Sequence, residues 1–83
     1  MNIKILGKGC PKCKRLEQMA RDAAAEAGVE ATFTKVKEMS EIIDYGAAMT
    51  PGLVINEELK AAGRIPPKHE IVADMKVMDV GGF

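Results

Sequence analysis

The sequence predicts one α/β domain in which a four-stranded mixed sheet is flanked by three helices, in the element order βαβαββα. Two observations lead to this fold class. Short strand-like segments are interleaved with segments whose apolar residues recur every three or four positions, the spacing of a helix face. Near the end of the chain, two strand-like segments lie too close together for a crossover and must form a hairpin. With 83 residues, the chain has room for one modest core and no second domain.

The first strand and the first helix are predicted on either side of a glycine-rich turn. Residues 2–6 are rich in β-branched apolar side chains and end at Gly7 and Gly9, which break the strand. Pro11 suits the first position of a helix, where its missing N–H costs nothing. Gly28 is the expected helix stop. The stretch between them has one apolar stripe at helical spacing, made of Leu16, Met19, Ala20, Ala23 and Ala27.

A second strand and a short second helix follow. Residues 29–34 alternate between apolar and polar, which predicts a strand that runs to about Val36. The short helix after it has Met39, Ile42 and Ile43 on one side. The strand–helix–strand order implies that the first two strands are parallel and joined by a right-handed crossover, which makes the first strand central.

The last part of the chain predicts a hairpin and a third helix. Residues 53–55 form an apolar run, and residues 59–62 follow it so closely that the two segments must pair as antiparallel strands. We expect residues 78–83 to be a frayed tail of a single domain that spans residues 1–83. The apolar stripe of the third helix consists of Ile71, Val72, Met75 and Met78.

Composition argues against several classes of function. The formal net charge is zero and charges of both signs are interspersed, so we expect no binding to nucleic acid or to a membrane. The apolar run at the start is too short for a signal peptide, and no segment is long enough to span a bilayer. These features favour a cytoplasmic protein.

The two cysteines, Cys10 and Cys13, carry the chemistry that the sequence offers. Thiols three positions apart can close on each other, and in a reducing compartment this spacing favours a catalytic or metal-binding pair. A structural disulfide over so short a loop would contribute only about 2 kcal/mol. We expect Cys10 at the start of the first helix, where unpaired N–H groups and the helix dipole stabilise a thiolate. The thiolate is the form that attacks a disulfide.

Four segments of the chain together form a recognisable set of motifs. They are Gly7-x-Gly9-Cys10-x-x-Cys13-Lys14-x-Leu16-Glu17, Thr50-Pro51-Gly52-Leu53, Glu58-Leu59-Lys60 and Gly63-Arg64. With these segments, the chain resembles small thioredoxin-like and glutaredoxin-like redox-active disulfide proteins of microbes over roughly residues 3–75. The resemblance implies the thioredoxin fold and thiol–disulfide exchange. It further implies that Cys10 attacks, that Cys13 resolves, and that a cis bond before Pro51 faces the pair.

Four charged residues are candidates for tuning the pKa values of the thiols. Lys8, Lys12 and Lys14 lie near Cys10 in the sequence, and their charges would favour its thiolate. The alternative is that these lysines form an ordinary solvated rim, screened by water and salt. Glu17 lies one helical turn after the second cysteine and could accept its proton. The alternative for Glu17 is an ion pair with a residue four positions further on, Arg21.

The partners that the resemblance implies are protein disulfides and a reductase of unknown identity, with the protein acting as a monomer. A backbone group before a cis proline can pair with an extended substrate, so Thr50 and Pro51, with Met49 beside them, are the candidate substrate-binding residues. The segment Gly63-Arg64-Ile65-Pro66 lacks the acidic residue with which glutaredoxins bind glutathione, so glutathione is not the expected partner. We expect no cofactor beyond the redox-active Cys10–Cys13 disulfide, and no metal.

A carrier of Cu(I) or another soft metal is the alternative function, because such carriers also present Cys-x-x-Cys between a first strand and a first helix. They normally have a methionine two residues before the first cysteine and a βαββαβ order. This chain has Lys8 at the methionine's place and a helical pattern at residues 39–45. The sequence therefore favours the oxidoreductase.

Overall fold

A computed structural model of the protein describes residues 1–9 and 11–79. Its element order is the predicted βαβαββα. The second strand begins at Thr32, three residues later than the alternating pattern does. The elements are β1 (Asn2–Leu6), α1 (Pro11–Ala27), β2 (Thr32–Val36), α2 (Met39–Asp44), β3 (Gly52–Ile55), β4 (Glu58–Ala62) and α3 (Lys68–Asp79).

The sheet has the strand order β2-β1-β3-β4. Strand β1 runs parallel to β2, with Leu6 opposite Val36, and antiparallel to β3, with Leu6 opposite Gly52. The predicted parallel pair and the internal position of β1 are thus confirmed. The end of β1, from which the chain enters the turn at Gly7, lies in the middle of one edge of the sheet.

Two apolar clusters cover the two faces of the sheet. One lies between the sheet and the pair α1 and α3, and the side chains of Leu16, Ile71 and Met75 are fully buried in it. The other lies under α2. It consists of Leu6, Val36, Ile42, Ala47 and Val54. Alternate residues of β1 enter the two clusters, as the two-residue period of a strand requires. None of the helices in the described part of the chain is long and apolar enough to cross a membrane.

The predicted apolar side of α2, with Met39, Ile42 and Ile43, packs on the sheet mainly through Ile42. Ile42 is 1% exposed, whereas Met39 is 46% and Ile43 is 61% exposed. The helix has only six residues, and neighbouring residues of a helix point about 100° apart, so one isoleucine faces the sheet and the other faces outward.

The frayed tail was expected to begin at residue 78, but α3 continues to Asp79. Residues 80–83 of that tail lie outside the described residues.

The β3–β4 turn has two residues, Asn56 and Glu57, with φ angles of 50° and 68°. Both angles are in the left-handed region, where a glycine would be preferred.

Candidate active site

The second thiol of the pair lies at the junction of β1 and α1. Cys13 is in the first turn of α1, and its side chain is 4% exposed. A Cβ built on Gly7 would lie 2.3 Å from the Cys13 Sγ and 3.8 Å from the Thr50 Cβ. The sulfur and the residue before Pro51, 37 positions apart in sequence, therefore flank the same glycine. Cys10, which was predicted to attack, lies outside the described residues.

The segment at Thr50 carries the predicted substrate-binding residues. The Thr50–Pro51 peptide bond is cis, and the Pro51 side chain is fully buried. The Pro51 carbonyl accepts a hydrogen bond of 2.8 Å from the N–H of Gly63. Thr50 is exposed at the end of the sheet where Cys13 lies.

Met49 lies on the surface beside this segment. Its side chain is 66% exposed, and its Cβ is 3.0 Å from where a Cβ on Gly63 would be. It borders a surface groove of about 300 Å³, which we call the apolar groove. The residues that line this groove are Met39, Ile42, Ala47, Ala48, Met49 and Thr50. The exposed Met39 is thus part of a surface beside Thr50.

A second cavity, also of about 300 Å³, lies beside Cys13, and we call it the lysine cavity. Two of the three lysines predicted to tune the thiols, Lys8 and Lys14, line it, whereas Lys12 is exposed on α1 and does not. The full lining is Ile5, Gly7, Lys8, Gly9, Cys13, Lys14, Lys35 and Lys37.

The sequence prediction missed Lys35 and Lys37. The signal that could have found them is the parallel pairing of the first two strands, because the carboxyl ends of parallel strands meet at one edge of a sheet. In the structure Ile5 is paired with Lys35 and Leu6 with Val36. The residues that follow β1 and those at the end of β2 therefore lie side by side.

Glu17 makes the ion pairs that compete with a role as proton acceptor. Its carboxylate lies 3.0 Å from Arg21 Nη2 and 3.2 Å from Lys35 Nζ, and its side chain is 16% exposed. Partial burial by itself would raise the pKa of the Glu17 carboxyl. The hydrogen bonds and charges of Arg21 and Lys35 outweigh that effect, and the pKa lies below its ordinary value. A carboxylate held ionised in this way is a poor acceptor for a thiol proton.

Lys4, in the internal strand β1, belongs to a polar network. Its ammonium donates a hydrogen bond to the Tyr45 hydroxyl and lies 2.7 Å from Glu57 Oε1. The Tyr45 hydroxyl donates to Glu57 Oε2 at 2.7 Å. The hydrogen bonds to Glu57 and then to Tyr45 raise the pKa of Lys4, although partial burial opposes them. The hydrogen bonds from Lys4 and Tyr45 lower the pKa of Glu57. The sequence prediction missed this network.

The fold does not favour the metal-carrier alternative. A helix, α2, occupies residues 39–44, where a βαββαβ protein would have a strand.

Comparison with known proteins gives concordant matches. The family profile described as "Thioredoxin domain" matches residues 1–76. A protein of Methanothermobacter thermautotrophicus named "Thioredoxin" is 46% identical over 71 residues, which cover 86% of this chain and 92% of that protein. A protein of Methanocaldococcus jannaschii with the same name is 34% identical over 74 residues, covering 89% of this chain and 85% of that protein.

Proposed function

The chain belongs to the thioredoxin family, and from this premise we propose that it exchanges disulfides with protein substrates through the Cys10–Cys13 pair. Thiol–disulfide oxidoreductase chemistry is supported by the family and by both named relatives. The observation that carries the assignment to this site is the position of the Cys13 sulfur, which flanks Gly7 together with Thr50 at the end of the internal strand β1.

In the proposed reaction, the Cys10 thiolate attacks one sulfur of a substrate disulfide. The substrate S–S bond breaks, one substrate thiolate leaves, and a mixed disulfide forms. Cys13, as a thiolate, then attacks the Cys10 sulfur and releases the second substrate thiolate. The substrate gains two electrons and takes up two protons, and the protein is left with a Cys10–Cys13 disulfide. We propose that a separate reductase then gives two electrons to the Cys10–Cys13 disulfide and restores the two thiols.

Substrate binding is assigned to Met49, Thr50 and Pro51. Thr50 is exposed beside Cys13, so its backbone is available to pair with an extended chain that carries the disulfide. Met49 offers a large, exposed and adaptable apolar side chain next to it. The positive charges of Lys8, Lys12 and Lys14 would stabilise thiolates at the start of α1. We also propose that the protein works as a monomer.

The test combines redox titration with cysteine variants. The protein is equilibrated in glutathione buffers of known potential, thiol exchange is quenched with acid, and the mass of the unmodified protein is measured. Reversible loss of about two daltons, one hydrogen from each thiol, is expected in the physiological range of potential. With insulin as substrate, Cys13→Ser should accumulate a mixed disulfide and Cys10→Ser should not. Reduction of insulin by Cys10→Ser at the wild-type rate would overturn the proposal.

A further inference from the structure

The lysine cavity has a one-sided charge. Its four charged lining residues are Lys8, Lys14, Lys35 and Lys37, and no acidic residue of the described chain lines it. They come from three separate segments, namely the turn after β1, the first turn of α1, and the end of β2 with the residues after it. Four cations converge here although the whole chain has a formal net charge of zero. Such a cavity concentrates anions, because a cleft with one sign of charge focuses the electric field.

Most of this charge is not neutralised by the protein. Lys35 is paired with Glu17 at 3.2 Å. Among residues 1–9 and 11–79, no ion pair is found for Lys8, Lys14 or Lys37. Three ammonium groups are therefore available to an external anion at a cavity that also borders Cys13.

The size and position of the cavity define what it can take. At about 300 Å³, it is at the lower limit of cavities that bind small molecules, so it holds a short acid-bearing arm and not a folded partner. Since Cys13 is part of its lining, an anion bound there lies a few atoms from the Cys13 sulfur. Ammonium groups form strong, charge-assisted hydrogen bonds with carboxylates.

We propose that the lysine cavity is a specificity site that binds a carboxylate carried a few atoms from the substrate disulfide. This inference rests on the proposed function and adds the substrate class, a disulfide with an acidic group beside it. The electrons follow the exchange described above, and the cavity changes only how tightly the disulfide is held. The carboxylate could belong to a low-mass disulfide or to an acidic residue next to a cysteine in a protein.

The first experiment uses three disulfides of similar size and different charge. They are 3,3′-dithiodipropionate (anionic), bis(2-hydroxyethyl) disulfide (neutral) and cystamine (cationic). Each rate of reduction by the reduced protein is divided by the rate with free dithiothreitol, which removes differences in intrinsic reactivity. We expect the anionic compound to react about tenfold faster than the neutral one at low salt, with the cationic one slowest. The preference should shrink as salt is added.

Variants assign the preference to the cavity. Lys37→Gln should lower the anionic-to-neutral ratio about threefold, the scale of one exposed charge. Glu17→Gln should raise the ratio, because it frees Lys35. Lys68→Gln is the matched control: Lys68 pairs with Glu26, which is 13 positions beyond Cys13 along α1, or roughly 20 Å away. A change in the reactivity of the protein thiols affects all three compounds alike, so it cancels in the anionic-to-neutral ratio of rates.

A second arm distinguishes the two sources of the carboxylate. Two peptide disulfides are compared that differ only in having Glu or Gln beside the cysteine. A preference for the Glu peptide that exceeds the preference for dithiodipropionate identifies a protein substrate, and the reverse identifies a low-mass one. A wild-type ratio of one at low salt, or a ratio unchanged by Lys37→Gln, overturns the inference. If the carboxylate preference is absent but the neutral disulfide is still reduced, the proposed function stands. If none of the disulfides is reduced, both the proposed function and the carboxylate site are overturned.

Discussion

The Cys13 sulfur lies in the space that a side chain at Gly7 would occupy. The separation between the sulfur and an ideal Cβ at residue 7 would be 2.3 Å, far inside van der Waals contact. Gly7 also donates its N–H to the Val36 carbonyl at 2.9 Å, which ties the turn after β1 to the end of β2. The absence of a side chain at this one position lets the helix that carries the thiol begin directly at the end of the internal strand.

Gly7→Ala should therefore displace the sulfur and destabilise the fold. Overpacking of this kind costs about 1 to 3 kcal/mol, and the shift should slow insulin reduction. Gly28→Ala is the control, because Gly28 also has a positive φ of 71° but no atom within 4 Å of its would-be Cβ. It should cost about 1 kcal/mol of backbone strain and leave the rate of insulin reduction unchanged. Urea unfolding and the insulin assay measure the two effects. Equal insulin rates for both variants would contradict the proposed crowding.

Two neighbouring isoleucines of α2 should differ sharply in their contribution to stability. Ile42 is 1% exposed and packs in the cluster under α2, so Ile42→Ala should lower the free energy of unfolding by about 2 to 5 kcal/mol. Ile43 is 61% exposed, and Ile43→Ala should change it by about 0.5 kcal/mol or less. Urea unfolding of both variants tests this pair. A larger loss for Ile43→Ala would show that α2 is rotated relative to the sheet.

The ion pair between Lys4 and Glu57 should make stability depend on pH on the acid side. Folding lowers the pKa of Glu57, so its contribution is present above the ordinary value of 4.5 and is lost as pH falls through the lower folded value. Folding raises the pKa of Lys4, so its contribution persists beyond the ordinary value of 10.5. Wild type should therefore be more stable than Glu57→Gln by a constant amount between about pH 6 and pH 9, and this advantage should shrink toward pH 3.

Two further variants check this interpretation by urea unfolding at the same pH values. Glu57→Gly loses the carboxylate but relieves the positive φ of 68°, so its stability relative to wild type should rise as pH falls. Glu58→Gln removes the adjacent carboxylate, which lies 3.5 Å from Lys60 and not near Lys4, and should change the pH profile less. An advantage of wild type that grows toward pH 3 would be incompatible with the lowered pKa of Glu57.

Met49 should matter for protein substrates and not for small ones. Met49→Ala removes an exposed apolar side chain beside Thr50, and we expect kcat/KM for insulin to fall about threefold to tenfold. Reduction of bis(2-hydroxyethyl) disulfide should be unchanged, since this compound is too small to span the apolar groove. Val77→Ala is the control, because Val77 is 65% exposed on α3 and does not line that groove. An equal loss with the small disulfide would show that Met49 acts on the thiols and not on substrate binding.

The element order could be predicted because the signals for it are local. The helical stripe from Leu16 onward is one such signal, and the break at Gly7 before Pro11 is another. The local pattern does not decide which apolar side chains of a short helix are buried against the sheet. Met39 and Ile43 fit a helical pattern as well as Ile42 does. The orientation of this six-residue helix is set by its packing on the sheet, and only Ile42 of the three is buried.

The candidate site was predictable in part for the same reason. The Cys-x-x-Cys spacing and Thr50-Pro51 are short motifs, whereas the lysine cavity and the Lys4 network join residues from distant segments. Lys8 and Lys37 are 29 positions apart, and Lys4 and Glu57 are 53 apart. No local pattern marks such pairs, because strand register and side-chain direction decide them.

The sequence by itself determined the dithiol, the order of strands and helices, and the parallel pairing of the first two strands, since spacing, periodicity and glycine positions act within a few residues of one another. Only the tertiary structure decided that Cys13 and Thr50 flank Gly7, and that Lys35 and Lys37 join Lys8 and Lys14 in lining the cavity beside Cys13. The physical reason is that the charge around a thiol is summed over space, and the crossover of α1 brings together charges that the chain keeps far apart.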